Sequence, residues 1–373
     1  MEKVVLLGCG YLAEYLMPCY EKRLGDALAS HMAGVKGRPE RLEDRQKAFP
    51  FPLQVQGTPE LLRSMQPDLI LIAVKPNQVP AVVEKDLQPY FDECRQNGRK
   101  LPVVYSFAPA PSVYWMSDAL GEGALVCNML PNMVSWVDGV YVAQAGASFL
   151  SFDTRACWPE QEKEEAMDFM QPTGRIITIP GEVAAEFLAV HEGMHAAYDF
   201  VTNGCEVLEK RGEELSYAGC AGALRDALRL AIPGDYLTPI AIPQEMKAEY
   251  RPFWEKLIKE YIGGVLDYAE SVGIPKEKAI LKTSASMEMF LLFLQHADPE
   301  KIRDAVSKHA TKGGVLEMHN RMFERWGKDL LRKGWEDYLD GRLADDFYED
   351  MRQVAFQIAN VVGSHTAGLA GTV

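Results

Sequence analysis

Gly8-Cys9-Gly10-Tyr11-Leu12-Ala13 has the spacing G-x-G-x-x-A, directly after a short apolar run and at the start of a helical pattern. That placement suits a dinucleotide phosphate. The first glycine permits a tight turn, the second lets backbone approach a pyrophosphate, and a small third residue lets the helix pack near the strand. A second set of reactive groups lies farther on. Leu188, His191, His195, Tyr198 and Thr202 recur at helical spacing, so two imidazoles, a phenol and a hydroxyl share one face. A proton donor is what a reduced C=N or C=O group needs, and an imidazole with pKa of about 6.5 serves near neutrality. His191, His195 and Tyr198 are therefore the catalytic candidates. The same run spells H-E-x-x-H over His191, Glu192 and His195, by which two histidines on one helix face can share zinc. Gly193 inside the run and the strand-to-helix setting before it favour the proton-donor reading, with no metal expected.

The end of the second strand distinguishes cofactors. An acidic residue there holds a ribose 2′-hydroxyl, whereas arginine accommodates a 2′-phosphate. Lys36, Arg38 and Arg41 crowd this stretch, which favours NADP; Glu40 leaves NAD open.

The elements that must position these residues follow from periodicity. Val4–Leu7, Met32–Val35, Leu69–Val74 and Pro102–Phe107 are apolar runs without alternation, as in strands buried on both faces of a parallel sheet. Ala124–Met129, Gly139–Ala143 and Gly174–Ile179 read as further strands. Tyr11–Leu24, a helix opening at Thr58-Pro59, Asn77–Cys94 and Glu160–Met170 read as helices between them. Such alternation predicts an α/β Rossmann-type doubly wound sheet over 1–181. From 182 to 373 strand signals fade, and the pattern predicts an all-helical C-terminal domain. Its run Met287–Leu294 is apolar nearly all round, as in a buried core or dimer helix.

Composition sets the outer limits. The chain has 373 residues, 47% of them hydrophobic and 25% charged, with a formal net charge of -14. Such a chain can build cores, and its acidic balance speaks against a nucleic-acid partner. No apolar run approaches the roughly 20 residues of a membrane span. Seven cysteines, none in a C-x-x-C pair, fit a reducing compartment, and a strand pattern at the N-terminus leaves no room for a signal peptide. A cytoplasmic protein is expected.

Several segments together resemble the pyrroline-5-carboxylate reductase family, within the 6-phosphogluconate dehydrogenase-like reductases. They are Leu7–Ala13, Ile72-Ala-Val-Lys-Pro76, Met129-Leu-Pro-Asn132 with Asp138-Gly-Val140, Gly174–Ile179 and Ser307–Gly314. The resemblance implies NADP-dependent hydride transfer to a C=N or C=O bond, with Val74, Lys75 and Pro76 beside the nicotinamide and Asn132 close by. It also implies a homodimer with interleaved helical domains. Two departures bear on the reaction. The family's catalytic threonine falls at Leu316, which has no hydroxyl, and residues near 205–260 form an insertion. The cofactor half is retained while the substrate half is rebuilt, so proline synthesis is not expected. The reading is an NADP-dependent reductase of a small polar, carboxylate-bearing substrate. The alternatives are a non-catalytic NADP-binding sensor of this fold and a zinc hydrolase built on His191, Glu192 and His195.

Overall fold

The computed structural model describes the chain apart from residues 1–2, 38, 133–135, 138–139, 142–144, 214–215, 238–248, 297–299, 301, 303–313 and 372–373. The side chains of 136–137, 140–141, 191–192, 235, 316 and 369–371 also lie outside the description. The chain divides into two compact units. One holds residues 1–133, 148–185 and 367–373; the other holds 134–147 and 186–366.

The first unit is built on an eight-stranded sheet in the order β10-β9-β6-β5-β4-β1-β2-β3. The strands are β1 (Val4–Leu7), β2 (Met32–Lys36), β3 (Leu53–Val55), β4 (Leu69–Ile72), β5 (Val103–Ser106), β6 (Val126–Leu130), β9 (Ala147–Phe152) and β10 (Arg175–Pro180). Neighbours among β1 to β6 run parallel, and β9 pairs antiparallel with β6. Leu7 lies opposite Val35 on one side and Ile72 on the other. Strand side chains alternate between faces, and each face has its own core. Val4, Leu6, Leu69 and Leu71 enter one cluster; Val5, Leu7, Ile70 and Ile72 enter the other. This is why these strands read as unbroken apolar runs. The chain reverses its direction of winding between β1 and β4, the switch point of the Rossmann arrangement. The α/β doubly wound expectation therefore holds.

Three details differ from the sequence reading. The helix expected over Tyr11–Leu24 is two helices, Tyr11–Tyr15 and Met17–Leu24, with Pro18 in the first turn of the second. Proline has no N–H to continue the ladder. The Asn77–Cys94 segment passes through a 3-10 turn, a short α turn and a π turn at Val83–Leu87 before the Gln88–Gln96 helix. Pro80 and Pro89 interrupt that ladder too. The strands β3 and β9 were not foreseen. Ala147-Ser-Phe-Leu-Ser-Phe152 hides two serines among its apolar residues, and both are fully buried.

The second unit includes a short hairpin, β7 (Trp136–Val137) against β8 (Val140–Tyr141), so only part of the Gly139–Ala143 strand is seen. Its helices include Gly193–Lys210, Tyr217–Ala231, Arg251–Ser271, Lys276–His296, Val315–Trp326, Lys328–Leu339 and Phe347–Gly371. The supposed insertion thus supplies parts of three of these helices. The Lys276–His296 helix is buried on every face from Lys282 to Leu294, all within one chain. Its apolar run is core without a partner copy. Trp335, 1% exposed, packs against Phe253 at 4.6 Å and Trp254 at 5.2 Å between ring centroids. The late tryptophan thus joins helices, as its type suggests. Among the described residues no helix is long and apolar enough to cross a membrane.

Candidate functional site

At the carboxyl ends of β1, β2 and β4 the first unit opens a cavity of about 1040 Å³. Ligands of open α/β sheets bind at this switch point. Gly8, Cys9 and Gly10 line it, as do Lys36 at the end of β2, Gly37 and Arg41 beyond it, and Val74 and Lys75 after β4. Gly8 has φ +100°, and a Cβ there would lie 2.6 Å from the Ala73 carbonyl oxygen. Only glycine allows β1 to turn this sharply beside β4. Gly10 differs: a Cβ there would meet nothing within 4 Å. Its open side is the space a pyrophosphate needs.

The remaining loop residues divide by role. Cys9 is 2% exposed, its Sγ donates to the Val35 carbonyl at 3.5 Å, and burial pushes the thiol up to about 12. It is a packing residue and not a nucleophile. Ala13 is fully buried against the sheet, Leu12 packs on the same core, and Tyr11 is half-exposed. Lys36 has its ammonium held below the usual lysine value by desolvation and then by neighbouring Arg45. Arg38 lies outside the described residues. Lys75 precedes the turn that Pro76 opens. Pro76 and Asn132 are not among the lining residues. Asn132 is fully buried, with its backbone N–H donating to Ser148 Oγ at 2.9 Å and its Nδ2 to the Thr173 carbonyl at 3.1 Å.

Sequence reasoning missed part of the lining: Gln56, Thr58, Asn77, Gln78, Lys85 and Asp86. Thr58 carried a signal, since it opens the Thr58–Met65 helix. Asp86 carried none; burial raises its carboxyl above the usual value, against a hydrogen bond with Thr58.

The His195 stripe lies in the second unit and is split between two surroundings. His195, 4% exposed, has its ring 4.7 Å from that of His319 on the Val315–Trp326 helix. His319 Nε2 lies 3.2 Å from Asp199 Oδ2. Burial pushes the Asp199 carboxyl well above its ordinary range and the His319 imidazole down to about 3. Both shifts favour the neutral forms of the two groups. Thr202 instead pairs with Tyr217 at 2.6 Å, and Tyr198 is half-buried. The His191 and Glu192 side chains lie outside the description, so H-E-x-x-H is not tested. Among the described residues no group of three histidines, cysteines or carboxylates is placed to hold a metal.

Two further charged groups stand in the second unit. Arg225 and Arg229 converge on Glu288 Oε1 at 3.0 and 2.6 Å, with Arg225 and Glu288 fully buried. Their carboxylate is internal. Lys282, 1% exposed, donates to the Ala147 carbonyl, and burial pulls its ammonium down to about 7.

No protein-family model matches the chain, and no curated protein matches it. Solved structures do. Pyrroline carboxylate reductase of Plasmodium falciparum with NADP bound is 12% identical, with TM-score 0.41 over 95% of this chain and 98% of that one. D-mandelate dehydrogenase with NADH and anilino(oxo)acetate is 10% identical, with TM-score 0.43 over 96% and 99%. Prephenate dehydrogenase of A. aeolicus with NAD+ is 11% identical, with TM-score 0.38 over 83% and 90%. These are distant likenesses of fold, and the functional reading rests on the residues.

Proposed function

We propose that the chain is an NADP-dependent oxidoreductase that delivers hydride to a C=N or C=O bond of a small polar substrate, one bearing a carboxylate by the family resemblance. The observation that carries this is a single cavity lined by both the Gly8–Gly10 loop and the cations at and beyond the end of β2. A 2′-phosphorylated dinucleotide calls for the two together: backbone N–H groups at the pyrophosphate and positive charge at the ribose phosphate. Lys36 and Arg41 suit a 2′-phosphate, because a guanidinium or ammonium gains most from a doubly charged oxyanion. The nicotinamide supplies the hydride. The chain supplies the phosphate cradle and, among His191, His195 and Tyr198, a proton donor. A homodimer stays part of the proposal on the resemblance alone.

Titration calorimetry with NADPH and NADH tests this reading. Binding of NADPH, tighter than NADH, is expected. Gly10→Asp puts a carboxylate into the space beside Gly10 and should abolish that binding. A folded Gly10→Asp protein with unchanged affinity would overturn the assignment.

A second reading, a cofactor-binding sensor without turnover, draws on the close packing of His195 against His319 and on Leu316 at the family's threonine position. Saturable NADPH binding with no oxidation across a panel of cyclic imines and 2-keto acids would favour it.

A further inference from the structure

We propose that Arg45 is a positioning residue for the dinucleotide loop, turning two of its peptide planes so that N–H groups, and not carbonyls, face the phosphates. The inference rests on the cofactor reading above and deepens it.

Arg45 stands in the Leu42–Gln46 helix, 36 residues after Cys9. Its Nε donates to the Cys9 carbonyl at 3.1 Å and its Nη2 to the Gly10 carbonyl at 2.9 Å. Its Nη1 pairs with Glu14 at 2.9 Å, and its guanidinium lies 5.4 Å from the Phe49 ring centroid. The fork is thus engaged on both ends and over one face. A lysine, with one nitrogen, cannot reproduce that fork.

Peptide geometry gives the consequence. In a planar trans peptide the C=O and the following N–H point in opposite directions. Holding the Cys9 carbonyl toward Arg45 therefore turns the Gly10 N–H away from it. Holding the Gly10 carbonyl does the same for the Tyr11 N–H. The Gly10 carbonyl also receives the Glu14 N–H at 3.2 Å, so the helix start and the arginine fix the same plane. Gly8, Cys9 and Gly10 line the cavity, while Arg45 is not among its lining residues. The arginine thus grips the loop from outside the cavity. Gly8 and Gly10 make the loop easy to twist, and a flipped peptide would set a carbonyl lone pair against a phosphate. Arg45 holds the competent state before any ligand arrives, which lowers the ordering cost of binding.

This role differs from that of Arg41, which lines the cavity itself. A residue that acts through the loop affects every dinucleotide alike, because each carries the pyrophosphate. A residue that touches the 2′-phosphate affects NADPH alone.

The experiment compares wild type, Arg45→Lys, Glu14→Gln and Arg41→Ala, each checked for an unchanged melting temperature. Two readouts are taken: calorimetric affinity for NADPH and for NADH, and hydrogen exchange of the 8–15 amides in the cofactor-free protein. Arg45→Lys should weaken both cofactors by the same factor, roughly tenfold or more, as expected for losing hydrogen bonds to a charged group. The NADPH-to-NADH ratio should stay fixed, and exchange over 8–15 should quicken. Glu14→Gln should shift both readouts the same way but less, and it serves if Arg45→Lys folds poorly. Arg41→Ala should lower the ratio and leave 8–15 exchange alone. Full rescue by lysine with unchanged exchange, or a change of ratio like that of Arg41→Ala, would overturn the proposal. Should the wild type bind neither cofactor, the functional reading fails separately. The exchange arm then still decides whether Arg45 holds the loop.

Discussion

Lys282 holds its ammonium nitrogen inside the second unit, and its titration should make stability depend on pH. Its folded pKa is about 7, against 10.5 for the ordinary side chain. Between those values the unfolded chain binds a proton that the native chain does not, so native stability rises with pH. The slope is at most about 1.4 kcal/mol per pH unit. The window is best read between pH 7 and 9, below the range where buried thiols such as Cys9 titrate in the opposite sense. In urea titrations the wild-type midpoint should climb across that window. Lys282→Met should hold it flatter, because the group whose proton uptake differs between the folded and unfolded chain is gone. A Lys282→Met slope as steep as the wild type would show that Lys282 stays charged in the fold. Nothing in the sequence separates Lys282 from a surface lysine. Its neighbours Leu281 and Thr283 fit either reading, and its depth depends on Ala147, 135 residues away. The glycine loop was legible because local geometry writes it: turn, close approach and helix start all fall within six residues.

Helices and strands were legible where their own sequence carried the reason. Val4–Leu7 and Leu69–Ile72 stand in the middle of a covered sheet, so both faces are apolar and the run is unmistakable. The β9 strand was missed because two serines interrupt its apolar run, and one of them, Ser148, is satisfied across the fold. Ser148 Oγ pairs with Thr173 Oγ1 at 2.7 Å, a partner no local window contains. The Gly193–Lys210 helix makes a similar point. Gly193 counted against a zinc motif, but its use is in packing. A Cβ there would lie 2.2 Å from the Thr283 carbonyl, so this helix meets the Lys276–His296 helix backbone to backbone. A contact below 3 Å with backbone cannot be relieved by a rotamer, so the helices must part. Gly193→Ala should therefore cost about 1–3 kcal/mol or more as overpacking, despite alanine's better helix propensity. Chemical denaturation reads this directly. A stabilised Gly193→Ala variant would mean that the two helices separate at no cost.

At the scale of the whole chain, the sequence pattern divides near residue 181, where it changes from mixed to helical. Residues 134–147 group with the later helices through contacts distant in sequence, such as Lys282 with the Ala147 carbonyl, 135 residues apart. The charge of the whole chain raises a sharper question, because a protein of formal charge -14 is proposed to prefer the more anionic cofactor. Distance resolves it. Two unit charges about 4 Å apart at an effective dielectric constant of about 20 interact by roughly 4 kcal/mol, against about 0.2 kcal/mol for charges ~25 Å apart in water. Salt then screens the distant term further, with a Debye length of about 8 Å. Lys36 and Arg41, lining the cavity, therefore outweigh carboxylates spread over the rest of the surface. The sign of the salt effect follows. If the near cations dominate, raising salt from about 50 to 500 mM should lower the NADPH-to-NADH affinity ratio severalfold, as partly exposed pairs are screened. If the distant acids dominated, screening would relieve repulsion and raise the ratio. Paired calorimetric titrations across that range distinguish the two. A flat or rising ratio would remove Lys36 and Arg41 from the 2′-phosphate while leaving the pyrophosphate loop in place.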